Sequence, residues 1–280
     1  MNGRYAAAAE AAAARAGAAG RKIGAVARIT LRHQLAYRTD FIVRASFLLL
    51  ILFVFVQLWS AAYGGDGQLR IAGYTLKQIV WYLVFTEAIT MAGPPVGTLI
   101  EDEVKNGDIA IRLIRPLSYI GYHYACYMAE AYFRFFIHLA VGAAVAWPLA
   151  GTPSFGYGWA ALLALSFGAM TLAFLLSAAV ALCAFWIEET RGLDFVLQKL
   201  KFTVGGMLLP LDMMPGWLQH LCAWLPFQAV LYLPARSAVD VSRAALPEQL
   251  VVQLLWIAAI AAVVSFIYRR GVKKLHVNGG

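Results

Sequence analysis

Long apolar stretches alternate with short polar segments along most of this chain. A helix needs about 20 apolar residues to cross a hydrocarbon core that is about 30 Å thick. Six stretches supply that length, at residues 41–63, 79–100, 132–150, 159–187, 193–234 and 250–268. The pattern predicts an all-α integral membrane protein with six transmembrane helices.

The fifth stretch is too long and too interrupted to be one plain helix. It contains Gly205, Gly206 and prolines at 210, 215, 226 and 234 in an otherwise apolar setting. Irregular backbone is tolerated at membrane depth only where protein or a water-filled cavity covers it. We therefore expect a helix to Leu209, a break at 210–216, and a short helix over 217–224 in a re-entrant hairpin on the outer side. An ordinary surface loop with amphipathic helices is the alternative.

Composition and charge narrow the class of protein. The chain is 61% apolar and 14% charged, whereas soluble domains are about 25% charged. Residues 1–44 carry eight Arg or Lys against two acids, and the tail from Arg269 adds four more without an acid. Basic flanks predict that both termini are cytoplasmic. They also favour anionic lipid head groups over nucleic acid as partners.

The N-terminal region divides into two parts. Residues 1–20 form an Ala-rich, low-complexity leader to which we assign no function, and residues 21–280 form the membrane domain. Residues 21–40 predict an amphipathic interfacial helix on the inner leaflet, with a solvated basic leader as the alternative. The three cysteines are widely separated, as expected of small core residues rather than a disulfide framework or a metal site.

The segment 99–119, LIEDEVKNGDIAIRLIRPLSY, holds seven charges between two apolar stretches. Gly107 is suited to closing one helix, Asp108 to capping the next, and Pro116 to ending it. These signals predict a short helix over 109–115, followed by a new helix near Ser118. Its shape suits docking into another protein's groove. A plain inner loop would leave three aliphatic side chains without a partner, those of Ile109, Leu113 and Ile114.

Two regions together resemble the ABC type-2 exporter permeases. EDEVKNGDIAIRLIRPLSY is similar to that family's loop between spans two and three, and FWIEETRGLDFVLQKLKFTVGGMLLPLDMMPGWLQHLCAWLPFQAVLYLP to its connection between spans four and five with an outer hairpin. The resemblance implies a permease subunit that pairs with a second permease copy or a sister permease and with two ATP-binding-cassette ATPase subunits. Whether the permease pair is a homodimer or a heterodimer stays open.

The resemblance also implies roles for particular residues. The short helix becomes the coupling helix that docks on the ATPase, through Asp108, Ile109, Arg112, Leu113, Ile114 and Arg115. The hairpin, at about 211–226, becomes part of an extracytoplasmic gate, with Pro210, Met213, Pro215 and Trp217 as candidates for the gate or substrate path. The expected substrate is amphiphilic or apolar, exported by alternating access across a bacterial cytoplasmic membrane.

Ionisable residues within the apolar stretches are the remaining candidates for the substrate path. Such residues are costly in hydrocarbon and commonly functional. Glu130, Arg134 and His138 recur every four residues and share one helix face, so Glu130 and Arg134 form either a structural ion pair or a substrate contact. Glu87 must face the bundle or a dimer interface, and Arg44 is expected to extend to the inner head groups.

No sequence motif for catalysis is present. The chain lacks a G-x-x-x-x-G-K-[ST] segment, so ATP and Mg²⁺ are expected on the partner subunit, with no cofactor and no metal in this chain. The alternative function is a secondary transporter or channel driven by an ion gradient, with Glu87 and Glu130 as proton sites. Such transporters often contain an internal repeat, and the two halves of this chain show none.

Overall fold

The computed structural model describes residues 38–64, 69–114, 118–151, 156–240 and 245–278, together with 24–25, 28–30 and 32. These residues form helices and turns, with one isolated bridge between Ile71 and Tyr74. The α-helices in this part of the chain are α1 (Arg38–Ala62), α2 (Leu76–Ala92), α3 (Val96–Lys105), α4 (Asp108–Leu113), α5 (Tyr119–Ala150), α6 (Gly158–Ala181), α7 (Arg191–Val204), α8 (Gly216–Ala223), α9 (Tyr232–Val239) and α10 (Leu246–Asn278). Short 3₁₀ helices cover Leu182–Phe185, Leu211–Met213 and Pro226–Ala229.

Five helical segments of the described chain are long and apolar enough to cross a membrane. They are Ala45–Ala62, Leu76–Lys105, Tyr119–Ala150, Gly158–Phe185 and Leu246–Lys274. The all-α membrane fold is thus confirmed, whereas a sixth span stays a prediction. The third segment starts at Tyr119, 13 residues before the apolar stretch at 132, which confirms the helix start predicted near Ser118; the Ser118 side chain caps it by accepting a hydrogen bond from the Gly121 amide.

The N-terminal predictions lie largely or wholly outside the described residues. These include the Ala-rich leader, most of the interfacial helix over 21–40, and the side chain of Arg44. The described helix α1 continues into the first predicted span and packs against α2 and α5.

Helix α2 lies near the centre of the bundle and packs against α5, α9 and α1. Trp81, Tyr82 and Phe85 are almost completely buried there. Helix α5 approaches α2 closely at Gly142, where an added Cβ would lie 2.8 Å from a methyl carbon of Val84. Helix α6 packs against α9, α10 and α3, so it joins both halves of the bundle.

The region after α6 is where the structure departs most from the predicted helix boundaries. Helix α7 ends at Val204, not at Leu209, because Gly206 adopts a left-handed φ of +74° that other residues rarely adopt. The chain then continues through the predicted break into α8, close to the short helix expected over 217–224. Gly205 and Phe227 lie together, since an added Cβ on Gly205 would be 3.2 Å from the Phe227 carbonyl oxygen.

Candidate functional site

Helix α4 is the short helix predicted inside the charged segment. Gly107 precedes it with a φ of +78°, which confirms the predicted left-handed turn between α3 and α4. The cap position falls on Gly107, so Asp108 is the first helical residue rather than the cap. The helix ends at Leu113, and Arg115 lies outside the described residues.

Four side chains, which we call the Glu103 cluster, connect α4 to α3 and α5. Glu103 is 4% exposed and pairs through Oε1 with the guanidinium of Arg112, 2.6 Å away. Its Oε2 accepts a hydrogen bond from the Tyr119 hydroxyl at 2.9 Å and lies 3.0 Å from His123 Nε2. Glu103 is on α3, Arg112 on α4, and Tyr119 and His123 on α5. The cluster therefore joins three helices through one buried carboxylate.

The exposed face of α4 is apolar. Ile111 is 61% exposed and Ile114 is 84% exposed. Leu113 is half-buried against the core, and Asp108 is exposed. We call Ile111 and Ile114, three residues apart, the docking face.

One part of the predicted docking set is wrong. Ile109 was expected to lack a partner in this chain, but it is fully buried in the core. Arg112 was expected to face a partner, and its guanidinium instead pairs with Glu103 and lies 5.4 Å from the centre of the Tyr122 ring. The face available to another protein thus includes Ile111, a residue outside the predicted docking set.

A second buried carboxylate on α3 contacts the segment that leads into α7. Glu101 is 2% exposed; its Oε1 accepts from the Thr190 amide at 3.1 Å and its Oε2 from the Thr190 hydroxyl at 2.7 Å. Lys105 pairs with the same carboxylate at 2.9 Å. Helix α3 is therefore connected to α4 and α5 through Glu103 and to the start of α7 through Glu101.

Side chains from neighbouring helices bond the irregular backbone between α7 and α9. The Tyr82 hydroxyl donates to the Gly206 carbonyl, and the Thr86 hydroxyl donates to the Met207 carbonyl at 2.9 Å. From α10, Gln253 Nε2 donates to the Ala229 carbonyl at 2.9 Å. These bonds provide the backbone pairing that irregular structure needs away from water.

The opposite end of the bundle contains a second polar cluster, around Asp212. Its carboxylate accepts a hydrogen bond from the Tyr74 hydroxyl, and Arg236 Nε lies 3.2 Å from the same oxygen. Burial, together with the neighbouring Asp212, raises the pKa of Tyr74, so this hydroxyl stays protonated and acts as a donor. These contacts hold the segment before α2 against the hairpin and α9.

The hairpin candidates do not all lie in one place. Pro210 is buried and Met213 is half-buried against the core, whereas Pro215 is exposed. Trp217 is 70% exposed on α8, and Trp224, the residue directly after that helix, is also exposed. Aromatic residues in this position are typical of a membrane interface.

Glu87, Arg134 and His138 are buried in the bundle, and Glu130 is half-buried. Glu130 and Arg134 form an ion pair, as their spacing predicted, and His138 is buried one turn further along α5. Glu87 on α2 is 1% exposed, and its Oε2 has no hydrogen-bond partner among the described residues. The described residues contain no cluster of His, Cys, Asp or Glu that could hold a metal ion.

Comparison with known proteins gives one result that covers most of the chain. Residues 45–279 match the sequence model of a family described as ABC-2 family transporter protein. No curated protein matches the chain. The matched region includes α3, α4, the hairpin and α10, so both candidate regions lie inside it.

Proposed function

The chain belongs to the ABC-2 transporter family and is a multi-pass membrane protein, and from this premise we propose that it is the permease subunit of an ATP-driven exporter. Two ATP-binding-cassette ATPase subunits supply the energy, and a second permease copy or a sister permease completes the path. The substrate is amphiphilic or apolar and leaves the cytoplasm by alternating access. ATP and Mg²⁺ bind to the ATPase subunits, not to this chain.

The distribution of basic residues supports a cytoplasmic position for the Glu103 end of the bundle, in a bacterial cytoplasmic membrane. Tyr268 near the end of α10 stacks on Tyr119 of the Glu103 cluster, with ring centres 5.9 Å apart. The basic residues 269, 270, 273 and 274 follow directly. Positive charge near helix ends favours the cytoplasmic side. Both termini are then cytoplasmic, and the Asp212 end with the hairpin faces outward as part of a gate.

The observation that carries the proposal is the exposed docking face on a helix that is fixed from behind. Ile111 and Ile114 lie open, while Arg112 and Ile109 hold α4 against the bundle. A short helix with exposed aliphatic side chains suits insertion into a groove on a partner. Because α4 is joined to α3 and α5 through Glu103, movement of the docked ATPase would reach the membrane helices.

Ile114→Asp in the full-length chain tests this proposal. The variant is co-expressed with the proposed ATP-binding-cassette ATPase subunit, and the amount of ATPase retained per permease is measured after affinity purification. Ile114 is exposed, so we expect normal yield of the permease and at least a tenfold loss of retained ATPase. Unchanged ATPase retention would show that this face is not the docking surface.

Two matched variants separate docking from folding. Asn106→Asp adds the same charge at an exposed position just before α4, and it should retain the ATPase. Ile109→Ala removes a fully buried side chain, and the loss of core packing should cost about 2–4 kcal/mol in the free energy of unfolding. Lower thermal stability in Ile109→Ala but not in Ile114→Asp is the expected contrast.

Glu87 favours the second candidate function, a transporter or channel driven by an ion gradient. A buried carboxyl oxygen without a partner is suited to holding a proton. Glu87→Gln in proteoliposomes that contain the permease alone would abolish proton-coupled uptake if this candidate were correct. The exporter proposal instead expects no uptake without the ATPase, in wild type or variant.

A further inference from the structure

A cavity of about 240 Å³ lies between α2, α5, α6 and α7. Its walls are mainly apolar, with polar groups from Thr90, Tyr127 and Ser177. Two lysines, Lys199 and Lys201, line it, and none of its lining residues is acidic. Apolar walls with a few converging polar groups are typical of ligand sites, and here the charged groups are all cations.

The cavity lies near the middle of two spanning helices. Residues 89–94 are the 14th to 19th of the 30 residues in the segment Leu76–Lys105. Residues 170–177 are the 13th to 20th of the 28 residues in Gly158–Phe185. Lys201 therefore places an ammonium group far from both ends of the helices that form the walls. A cation at such a depth is costly unless an anion compensates it.

The described residues provide little negative charge for Lys201. No carboxylate lies within ion-pair distance of its ammonium group among these residues, and Asp194, two turns earlier on α7, acts on it only at longer range. The C-terminal end of α7 adds the partial charge of the helix dipole, about half an elementary charge. Lys199 differs, since its ammonium group lies 5.2 Å from the centre of the Phe195 ring and 5.9 Å from that of Phe202.

We propose that this cavity binds the anionic head group of an amphiphile, with Lys201 as its counter-charge. Pockets that enclose a drug-sized ligand are usually about 300–1,000 Å³, so a cavity of about 240 Å³ holds a head group but not a long tail. Phe202 and Gln198, which are exposed on α7, border the cavity. The tail leaves along this exposed face toward the lipid.

This inference rests on the proposed function, because it assigns a negative charge to the amphiphile that the proposed exporter carries. The binding itself does not depend on an ATPase. It is therefore measured on the purified permease alone, and a failure to bind would leave the docking of α4 untouched. Conversely, loss of docking in Ile114→Asp would not alter binding in the cavity.

The test uses dodecyl phosphate as the probe and the full-length protein in dodecyl maltoside. The thermal unfolding midpoint is followed as the probe is titrated, and an apparent Kd is taken from the saturating shift. Dodecyltrimethylammonium has the same tail with the opposite charge, and inorganic phosphate has the anion without a tail. We expect saturable stabilisation by dodecyl phosphate only.

Substitutions at Lys201 and in the cavity wall connect binding to the cavity. Lys201→Met should weaken dodecyl phosphate at least tenfold, whereas Lys201→Arg, which keeps the charge, should bind within about threefold of wild type. Arg191→Met is the matched control, because Arg191 is an exposed cation at the start of the same helix and does not line the cavity; it should bind as wild type does. Ala173→Trp should also abolish binding with Lys201 intact, because it fills the cavity.

Three results would overturn the proposal. The first is equal affinity of Lys201→Met and wild type. The second is equal stabilisation by dodecyltrimethylammonium, which would indicate a site for tails alone. The third is inorganic phosphate binding as tightly as dodecyl phosphate, which would indicate a free anion as the ligand. If Lys201→Met unfolds, the comparison of Ala173→Trp with wild type still decides whether the probe occupies the cavity.

Discussion

Glu103→Gln should weaken the attachment of α4 to α3 and α5. The substitution keeps the side-chain shape but removes the negative charge that pairs with Arg112 at 2.6 Å and strengthens the hydrogen bond from Tyr119 at 2.9 Å. Breaking a buried ion pair by neutralising one partner costs about 3–5 kcal/mol. Because the Arg112 side chain is 27% exposed and gains water when released, we expect the free energy of unfolding to fall by about 3 kcal/mol, at the low end of that range.

A double-mutant cycle measures the interaction energy between Glu103 and Arg112 separately from the other effects of each substitution. Unfolding of the full-length protein is followed in dodecyl maltoside as the mole fraction of sodium dodecyl sulfate rises. Glu103→Gln, Arg112→Met and the double variant are compared, and the double variant should cost at least about 1 kcal/mol less than the sum of the single variants. Asp102→Asn, at an exposed neighbour of Glu103, should change stability by no more than about 0.5 kcal/mol. Additive effects of the two single substitutions would refute the assignment of Glu103 as the link.

Two further predictions concern the α6–α10 contact and the Asp212 end of the bundle. Gly168→Ala places a Cβ 2.0 Å from Gln253 Oε1. The Gln253 amide must then move away from the Leu165 and Ala229 carbonyls to which it donates. Each lost hydrogen bond costs about 1–3 kcal/mol, whereas alanine in place of glycine stabilises a helix by about 1 kcal/mol. We expect a net loss of about 2 kcal/mol in the same unfolding assay, with Gly192→Ala, where nothing lies within 4 Å, as the harmless control. Asp212→Asn weakens a partly exposed ion pair with Arg236, worth about 1 kcal/mol or less, and also the contact with Tyr74. Amide hydrogen exchange in 211–239 should therefore become faster, as it should in Tyr74→Phe, and unchanged exchange in both variants would contradict a holding role for Asp212.

The helices that the sequence predicts well are those whose signals are local. Gly107 and Ser118 mark boundaries because a left-handed φ and a hydroxyl cap each act within one turn. The ion pair of Glu130 and Arg134 follows from a spacing of four residues. Helix α5 begins at the position predicted from Ser118, and the apolar stretch starts only at 132 because the first turns contain tyrosines, His123 and Glu130, which lower the apolar character without ending the helix.

The arrangement of the Glu103 cluster could not be predicted from local pattern. Glu103 meets Tyr119 and His123 only because α3 and α5 turn those faces toward each other, which depends on packing across the whole bundle. Helix α4 illustrates the same limit. It has aliphatic residues on several sides, so its periodicity does not distinguish the buried Ile109 from the exposed Ile111.

Helix α3 carries both Glu101 and Glu103, so it connects α4 and α5 to the segment that leads into α7. Glu101 and Glu103 are two residues apart, so they point to different sides of the helix, one to Thr190 before α7 and the other to α4 and α5. The segment Gly93–Pro95 separates α3 from α2, because proline there interrupts the helical hydrogen bonding. On the proposed function, force applied at the docking face would pass through Glu103 to α3 and α5, and through Glu101 to α7, whose Lys201 borders the cavity. On this proposal, the two buried carboxylates connect the helix that docks the ATPase to the helix that borders the head-group site.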